Sequence, residues 1–325
     1  MVNLFDSVLW LRPIIPICGI IYMLNKFYAR QTEENAPNVK FLYLACWFDI
    51  VWRLFAHHAG GHRYFAHKSY KCTPLLATLF AVTICMGDNL VFYYWTLMHN
   101  DHHATCDVGD DLHSPHRIGF WAVQFSVSDK AKEQYVRVTK ETGMFSPPNK
   151  ILKEKYDVDL SWITFPVSLL LMLLEPMVWL SIARPLGYHT ADLVLWLCLI
   201  PRLVSKHGIT ATNSFAHMFG SRPYCGNGHA PFPYCLATNC WYIALLNGGE
   251  GWHNNHHAFS LSARHGLLWW ELDWVWLGLR LLAELGFVWD VIEASEEVRL
   301  AKRDPNVLQH FDQKYTVYYK REKTI

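Results

Sequence analysis

Histidine spacing constrains this chain more than any other feature. His62 and His67 lie five residues apart, His99 is followed by His102 and His103, and His253 by His256 and His257. A further element pairs Asn213 with His217. Side chains at i, i+3 and i+4 of a helix share a face. Each H-x-x-H-H run therefore aims its imidazoles in one direction, and Asn213 shares a face with His217. A five-residue step does not fit one α-helical face, so His62 and His67 are expected at a helix end or turn, which Gly60-Gly61 would permit. Nine imidazoles exceed what one ion holds, because a closed metal site takes about four ligands. They suggest two ions with about four or five ligands each. Neutral imidazole suits iron, copper, nickel or zinc rather than magnesium or calcium. Singly, each histidine reads more simply as a hydrogen-bonded interfacial residue; jointly, that reading fails. The remaining histidines take the simpler reading, although His113 and His265 lie close enough to the boxes to orient a ligand.

The chain around these boxes is apolar. Hydrophobic residues make up 52% and charged residues 18%, with 15 Trp, 16 Tyr and 18 Phe. Such a balance suits membrane spans with aromatic rings at their ends. The reading is a single all-α integral-membrane domain over residues 1–325, with spans at about 8–28, 41–61, 162–183 and 191–213. Arg184-Pro185-Leu186-Gly187 makes the last two an antiparallel pair. Residues 62–157 and 218–325 form a helical cap. Leu75–Met98 is expected to lie along the membrane surface as one helix, with further helices at Tyr234–Leu246 and from Leu267. Asp49 and Arg53, at i, i+4, are expected to pair inside the second span as helix–helix glue. Two hairpins put both termini and all boxes on one side, and lysines including Lys68, Lys71, Lys150 and Lys153 make that side cytosolic. No basic leader precedes the first span, so no removable signal is expected. A net charge of +1 argues against nucleic acid. The nine cysteines show no C-x-x-C pattern and read as buried hydrophobes without disulfides.

At the boxes the chain resembles the membrane-bound acyl desaturases of the stearoyl-CoA desaturase type. The matching stretches are HRYFAHKSYK from His62, HNDHH from His99, DLHSPHR from Asp111, NSFAHMFGSRPY from Asn213 and GEGWHNNHHAF from Gly249. The run after His253 most resembles the plant and bacterial branch. The resemblance implies four transmembrane helices under a cytosolic cap, and a di-iron centre held by His62, His67, His99, His102, His103, His217, His253, His256 and His257, with Asn213 acting through water. It implies an O2-dependent desaturase that places a cis double bond, of delta-9 type, in a saturated chain carried on CoA or a lipid. Electrons would come from a separate protein, cytochrome b5 or a ferredoxin, since the chain has no H-P-G-G haem motif.

An unactivated methylene offers nothing to acid–base catalysis, so a redox metal must do the hard step. An apolar tunnel would then fix which carbon reacts. Trp95, Trp121 and Trp252 are candidates to line it, and Lys130 and Lys132 to meet a carrier's phosphates. Asn100 and Asp101 stand where animal acyl-CoA desaturases carry a basic residue, which favours an acyl-lipid as the alternative carrier. Localisation would be the endoplasmic reticulum in a eukaryote, as the Arg321-Glu322-Lys323 tail faintly suggests, or the cytoplasmic membrane in a bacterium. The competing readings are a hydroxylase or ketolase on the same boxes, and a membrane metal transporter. A transporter would place ligands at mid-membrane depth, whereas these lie at span ends.

Overall fold

Long apolar runs fold as long helices. The computed structural model describes residues 4–32, 38–87, 92–125, 156, 158–160, 162–224, 235–301 and 315–318. The first two helices are α1 (Leu4–Arg30) and α2 (Lys40–Phe55). Short ones follow the first box: α3 (Pro74–Met86), α4 (Phe92–Thr105), α5 (Pro115–Ile118) and α6 (Phe120–Phe125). Helix α7 (Phe165–Ala183) opens on Thr164, whose hydroxyl accepts the Val167 N–H, with Pro166 in its first turn where a missing N–H is harmless. Gly187, at φ 86°, takes the left-handed conformation that closes the turn after Arg184–Leu186. The chain then returns through α8 (Thr190–Val194), a π-helical stretch (Leu195–Leu199) and α9 (Ile200–Phe215).

Pro166–Leu186 and Thr190–Phe215, at 21 and 26 residues, are the two helices among the described residues long and apolar enough to cross a membrane. They overlie the spans expected at 162–183 and 191–213. The segments expected at 8–28 and 41–61 are helical too, the second running through α2 into the first box. Helix α7 turns Leu170, Leu173, Met177 and Ile182 outward, and α2 does the same with Leu44, Trp47 and Phe48. Inside, Phe27 is buried against the edge of Trp196, with ring centroids 5.3 Å apart.

Asp49 and Arg53 pair as expected, Arg53 Nε donating at 2.9 Å. The pair belongs to a larger network. Arg53 also donates to Glu175 of α7, and Arg202 of α9 donates to the other oxygen of that carboxylate at 2.5 Å. Glu175 is 3% exposed, so this charge is stable only because two guanidiniums meet it. Four charged residues thus lock three helices together.

The cap departs from its expected outline in five respects. The helix expected over 75–98 is split into α3 and α4, with 88–91 outside the described residues. The helix expected from Tyr234 is only α10 (Trp241–Leu246), preceded by an extended stretch bridging Ser221 to Asn239 and Asn239 to Trp252. The helix expected from Leu267 is α12 (Trp274–Glu284), starting where Asp273 accepts the Trp276 N–H at 2.8 Å. Between them lies α11 (His253–Ala258). The all-α expectation is corrected by two antiparallel pairs: β1 (Lys71–Cys72) with β2 (Val288–Trp289), and β3 (Val291–Ala294) with β4 (Tyr315–Tyr318). Two- and four-residue strands carry no alternation long enough to read. A short helix, α13 (Glu296–Ala301), lies between β3 and β4. Finally, Cys106 and Cys235 are joined as a disulfide across 129 residues, against the expectation of none. Spacing cannot reveal a pair brought together only by the tertiary fold.

The first box is wound as a π-helical segment, Ala56–Ala66, every residue of which is buried. The His67 N–H donates to the His62 carbonyl at 3.1 Å, an i→i+5 bond. Such wide turns concentrate at functional sites. Gly60 lets this segment meet α3, because a Cβ there would lie 2.5 Å from Phe80 Cβ. Gly60→Ala is expected to cost about 1–3 kcal/mol through overpacking. A lowered melting temperature in detergent checks it, and an unchanged one would show that Phe80 yields freely.

Candidate metal centre

Four chain segments deliver the imidazoles. The π-helical segment carries His62 and is followed at once by His67, the last turns of α4 carry His99, His102 and His103, His217 follows α9, and α11 carries His253, His256 and His257. All nine are buried. They assemble as two groups: His62, His67, His99, His103 and His256 in one, and His102, His217, His253 and His257 in the other. Within each group the ligand nitrogens lie within 4.8 Å of one another. In the first, Nε2 of His256 is 3.0 Å from that of His62 and 2.9 Å from that of His103, and His67 and His99 approach at 2.9 Å. In the second, His253 is 3.1 Å from both His217 and His257, and His102 is 3.3 Å from His257. His102 with His103, and His256 with His257, are sequence neighbours that point into different groups, which makes the groups adjacent.

Behind the rings stand carboxylates that the sequence reading missed. His62 Nδ1 meets Glu250 at 2.6 Å, His102 Nδ1 meets Asp111 at 2.8 Å, and His217 Nδ1 meets Asp107 at 2.9 Å. A carboxylate only accepts, so each Nδ1 carries the proton and each Nε2 presents a bare lone pair. Those lone pairs face other Nε2 atoms at hydrogen-bond distance. An array of lone pairs aimed at one another is satisfied by a cation between them, so the residues fit a metal in each group. The motif strings held a signal for this: Asp107 and Asp111 follow His103 within the same short stretch, and Glu250 precedes His253 by three residues.

The acids are themselves fixed. Asp107 accepts the Ser114 hydroxyl at 2.5 Å and the Leu236 N–H at 2.7 Å, and Asp111 accepts the Asp107 and His113 N–H groups. Burial alone would raise the Asp107 carboxyl, but His217 and these donors hold it well below the usual carboxylate range. Arg63, wholly buried, donates to Glu250 at 2.9 Å, to Asp273 at 3.0 Å and to the Ala263 carbonyl at 2.7 Å.

Of the other residues singled out from sequence, Trp95 stacks on His99 with centroids 4.9 Å apart and planes 8° from parallel. Trp252 is buried beside His253 and donates its indole N–H to the Leu272 carbonyl at 2.9 Å. Trp121 is 59% exposed and stacks on Phe125, among rings other than the histidines. Asn213 is buried in α9 one turn before His217. His113 stacks on His102 at 5.3 Å, and His265 lies 3.5 Å from Glu250. Lys130 and Lys132 lie outside the described residues.

Burial pushes His99, His103, His253, His256 and His257 well below the usual imidazole range, with neighbouring imidazoles adding to it. At His102 burial acts the same way, but Asp111 outweighs it and the net shift is upward. His113, clear of the ligand groups, is pushed down to about 3 by burial and by His102. An unfolded chain takes up protons on these groups near pH 6.5 while the folded chain does not, so the unfolded state binds more protons and stability is lost as pH falls. The metal-free protein is therefore expected to weaken progressively as pH falls below about 6.5. His102 contributes with the opposite sign. Thermal melting of chelated protein across this range checks it, and a melting temperature rising toward acid would refute it.

No family model matches the chain. It is 32% identical over 238 residues to the acyl-CoA C20 Delta5-desaturase of Anemone leveillei, covering 72% of this chain and 68% of that one. It is 32% identical over 245 residues to the sn-1 stearoyl-lipid 9-desaturase of Anabaena variabilis, covering 73% and 79%. A hex-5-enoyl-[acyl-carrier protein] acetylenase of Moorena producens is 30% identical over 246 residues, covering 75% and 74%. These relatives share one chemistry, oxidation of an acyl chain, across three carriers. With likeness over most of both chains, this protein belongs to the acyl desaturases and is an oxidoreductase.

Proposed function

We propose that the chain is an O2-dependent fatty acyl desaturase that inserts a cis double bond at the delta-9 position of a saturated chain carried on CoA or a lipid. The observation that carries this reading is the pair of buried imidazole groups whose Nδ1 protons are held by carboxylates. In this reading two iron ions occupy the groups, one on His62, His67, His99, His103 and His256, the other on His102, His217, His253 and His257, with Asn213 acting through water. When bound, iron supplies the redox chemistry of O2 needed to take hydrogen from an unactivated methylene.

The protein's own residues do the rest. Glu250, Asp111 and Asp107 hold the protons of His62, His102 and His217 on Nδ1, so that Nε2 stays basic. Burial keeps the other imidazoles neutral and ready to bind metal at ordinary pH. Trp95 and Trp252, packed against the boxes, border the approach of the acyl chain. Four spans at about 8–28, 41–61, 162–183 and 191–213 anchor the enzyme, a reading supported by the outward-facing leucines of α7 and aromatics of α2. The boxes then face the cytosol, where a separate donor, cytochrome b5 or a ferredoxin, delivers electrons. The delta-9 position is supported by the stearoyl-lipid 9-desaturases among the relatives. Asp101, exposed beside the second box, repels phosphate and favours a lipid carrier over CoA.

Expression in a host lacking its own desaturase, followed by fatty-acid profiling and metal analysis, tests the proposal. The expected result is a monounsaturated product and about two iron ions per chain. A product that gains oxygen instead of losing two hydrogens would mean a hydroxylase. Exchangeable zinc without product would mean metal transport.

A further inference from the structure

Cys106 and Cys235 have Cα atoms 5.0 Å apart, within the range of about 4.4–6.8 Å that a disulfide needs. Both are buried. Each adjoins a group that holds a cluster imidazole. Cys106 immediately precedes Asp107, the acceptor for His217 Nδ1. Cys235 Sγ lies 3.4 Å from His257 Nδ1, and the next residue, Leu236, donates its N–H to Asp107 at 2.7 Å. The cysteine pair therefore closes a ring of contacts directly behind the four-histidine group.

We propose that Cys106 and Cys235 are a redox-active pair that takes hydrogen peroxide as its oxidant and, once bonded, slows the metal site beside it. The structure holds the bonded form; on the cytosolic side proposed above, thiols are kept reduced, so the working cycle starts from two thiols. Peroxide is the two-electron reduction product of O2, and an O2-using centre starved of acyl chain is a local source of it. That origin rests on the desaturase reading; the chemistry of the pair does not. One sulfur attacks a peroxide oxygen: the O–O bond breaks, an S–O bond forms, and the departing oxygen leaves as water with a proton. The second thiol attacks that sulfur: the S–S bond forms, the S–O bond breaks, and a second water leaves. Two electrons pass from the sulfurs to the peroxide oxygens, and one peroxide and two thiols become one disulfide and two waters. The structure shows the bonded state, with the His257 contact kept at 3.4 Å, but a disulfide sulfur is a weaker acceptor than a thiol sulfur for the Nδ1 proton, so bonding weakens the support behind that ring without removing it.

The test uses the full chain in detergent with its metals bound. The protein is reduced, treated with hydrogen peroxide, denatured and alkylated, and its peptides are weighed. The Cys106 and Cys235 peptides are expected to emerge cross-linked. Cys72, whose thiol burial pushes up to about 12, should emerge alkylated. Turnover should fall by about threefold or more with metal content unchanged, and dithiothreitol should restore it. Cys106→Ser and Cys235→Ser, each compared with its own untreated sample, should keep their turnover at the same dose. Recovery of both cysteines as alkylated thiols overturns the proposal. So does a loss of turnover in both serine variants equal to that of the parent. A chain that makes no unsaturated product sinks the desaturase reading, while the cross-link still decides the chemistry of the pair.

Discussion

Cells expressing His256→Ala are expected to make no unsaturated acyl product above background, although the protein still reaches the membrane. His256 is the ring through which the boxes meet: its Nε2 lies 3.0 Å from that of His62 and 2.9 Å from that of His103. Removing it takes one lone pair from a group of five and leaves two others facing a void. Loss of an outer-shell partner alone costs about 10–100-fold in metal affinity or activity, so loss of a ligand should exceed that, on the order of 10³-fold. Metal analysis should show iron falling from about two per chain toward one. Full activity in this variant would sink the two-group assignment.

The second large effect concerns stability. Arg63 is 0% exposed and joins the first box to Glu250, to the Gly248 carbonyl and to Asp273 at the start of α12. Asp273 in turn accepts the His265 N–H at 2.8 Å. Arg63→Met would leave two buried carboxylates without their cation, at a cost of about 3–5 kcal/mol. The cap is expected to melt well below the parent, and His62 to lose its fixed tautomer as Glu250 turns away. Arg63→Lys restores the charge but not the fork, so it should recover only part of the stability. Equal melting of Arg63→Met and parent would show that the carboxylates find other partners.

The boxes were legible because a helix converts spacing into direction. His99 with His102 and His103, and His253 with His256 and His257, needed no tertiary information to be seen as rows of ligands. The hairpin of α7 and α8 was legible for a similar local reason: a proline and a glycine close a turn between two apolar runs. What stayed hidden depended on partners far away in sequence. Glu175 is a lone acid in an apolar helix until Arg53 and Arg202 arrive from two other helices. Glu250 is only a residue near a box until Arg63 and His62 surround it. The strands β1 and β2 are too short to register as pattern and exist because residues 71–72 and 288–289 meet. Cys106 and Cys235 obey the same logic.

The π-helical first box carries one more consequence. In an α-helix each residue turns the chain by about 100°, so residues five apart differ in heading by about 140°. The i→i+5 closure between His62 and His67 absorbs that difference and sets their rings 4.9 Å apart on centroids. The stretch Arg63–Ala66 is thus a measure of angle, and its length matters more than its composition. Arg63 aside, whose guanidinium has partners of its own, the side chains there can be exchanged for others of like volume. Deleting a single residue would swing His67 out of its group while leaving every histidine in the chain.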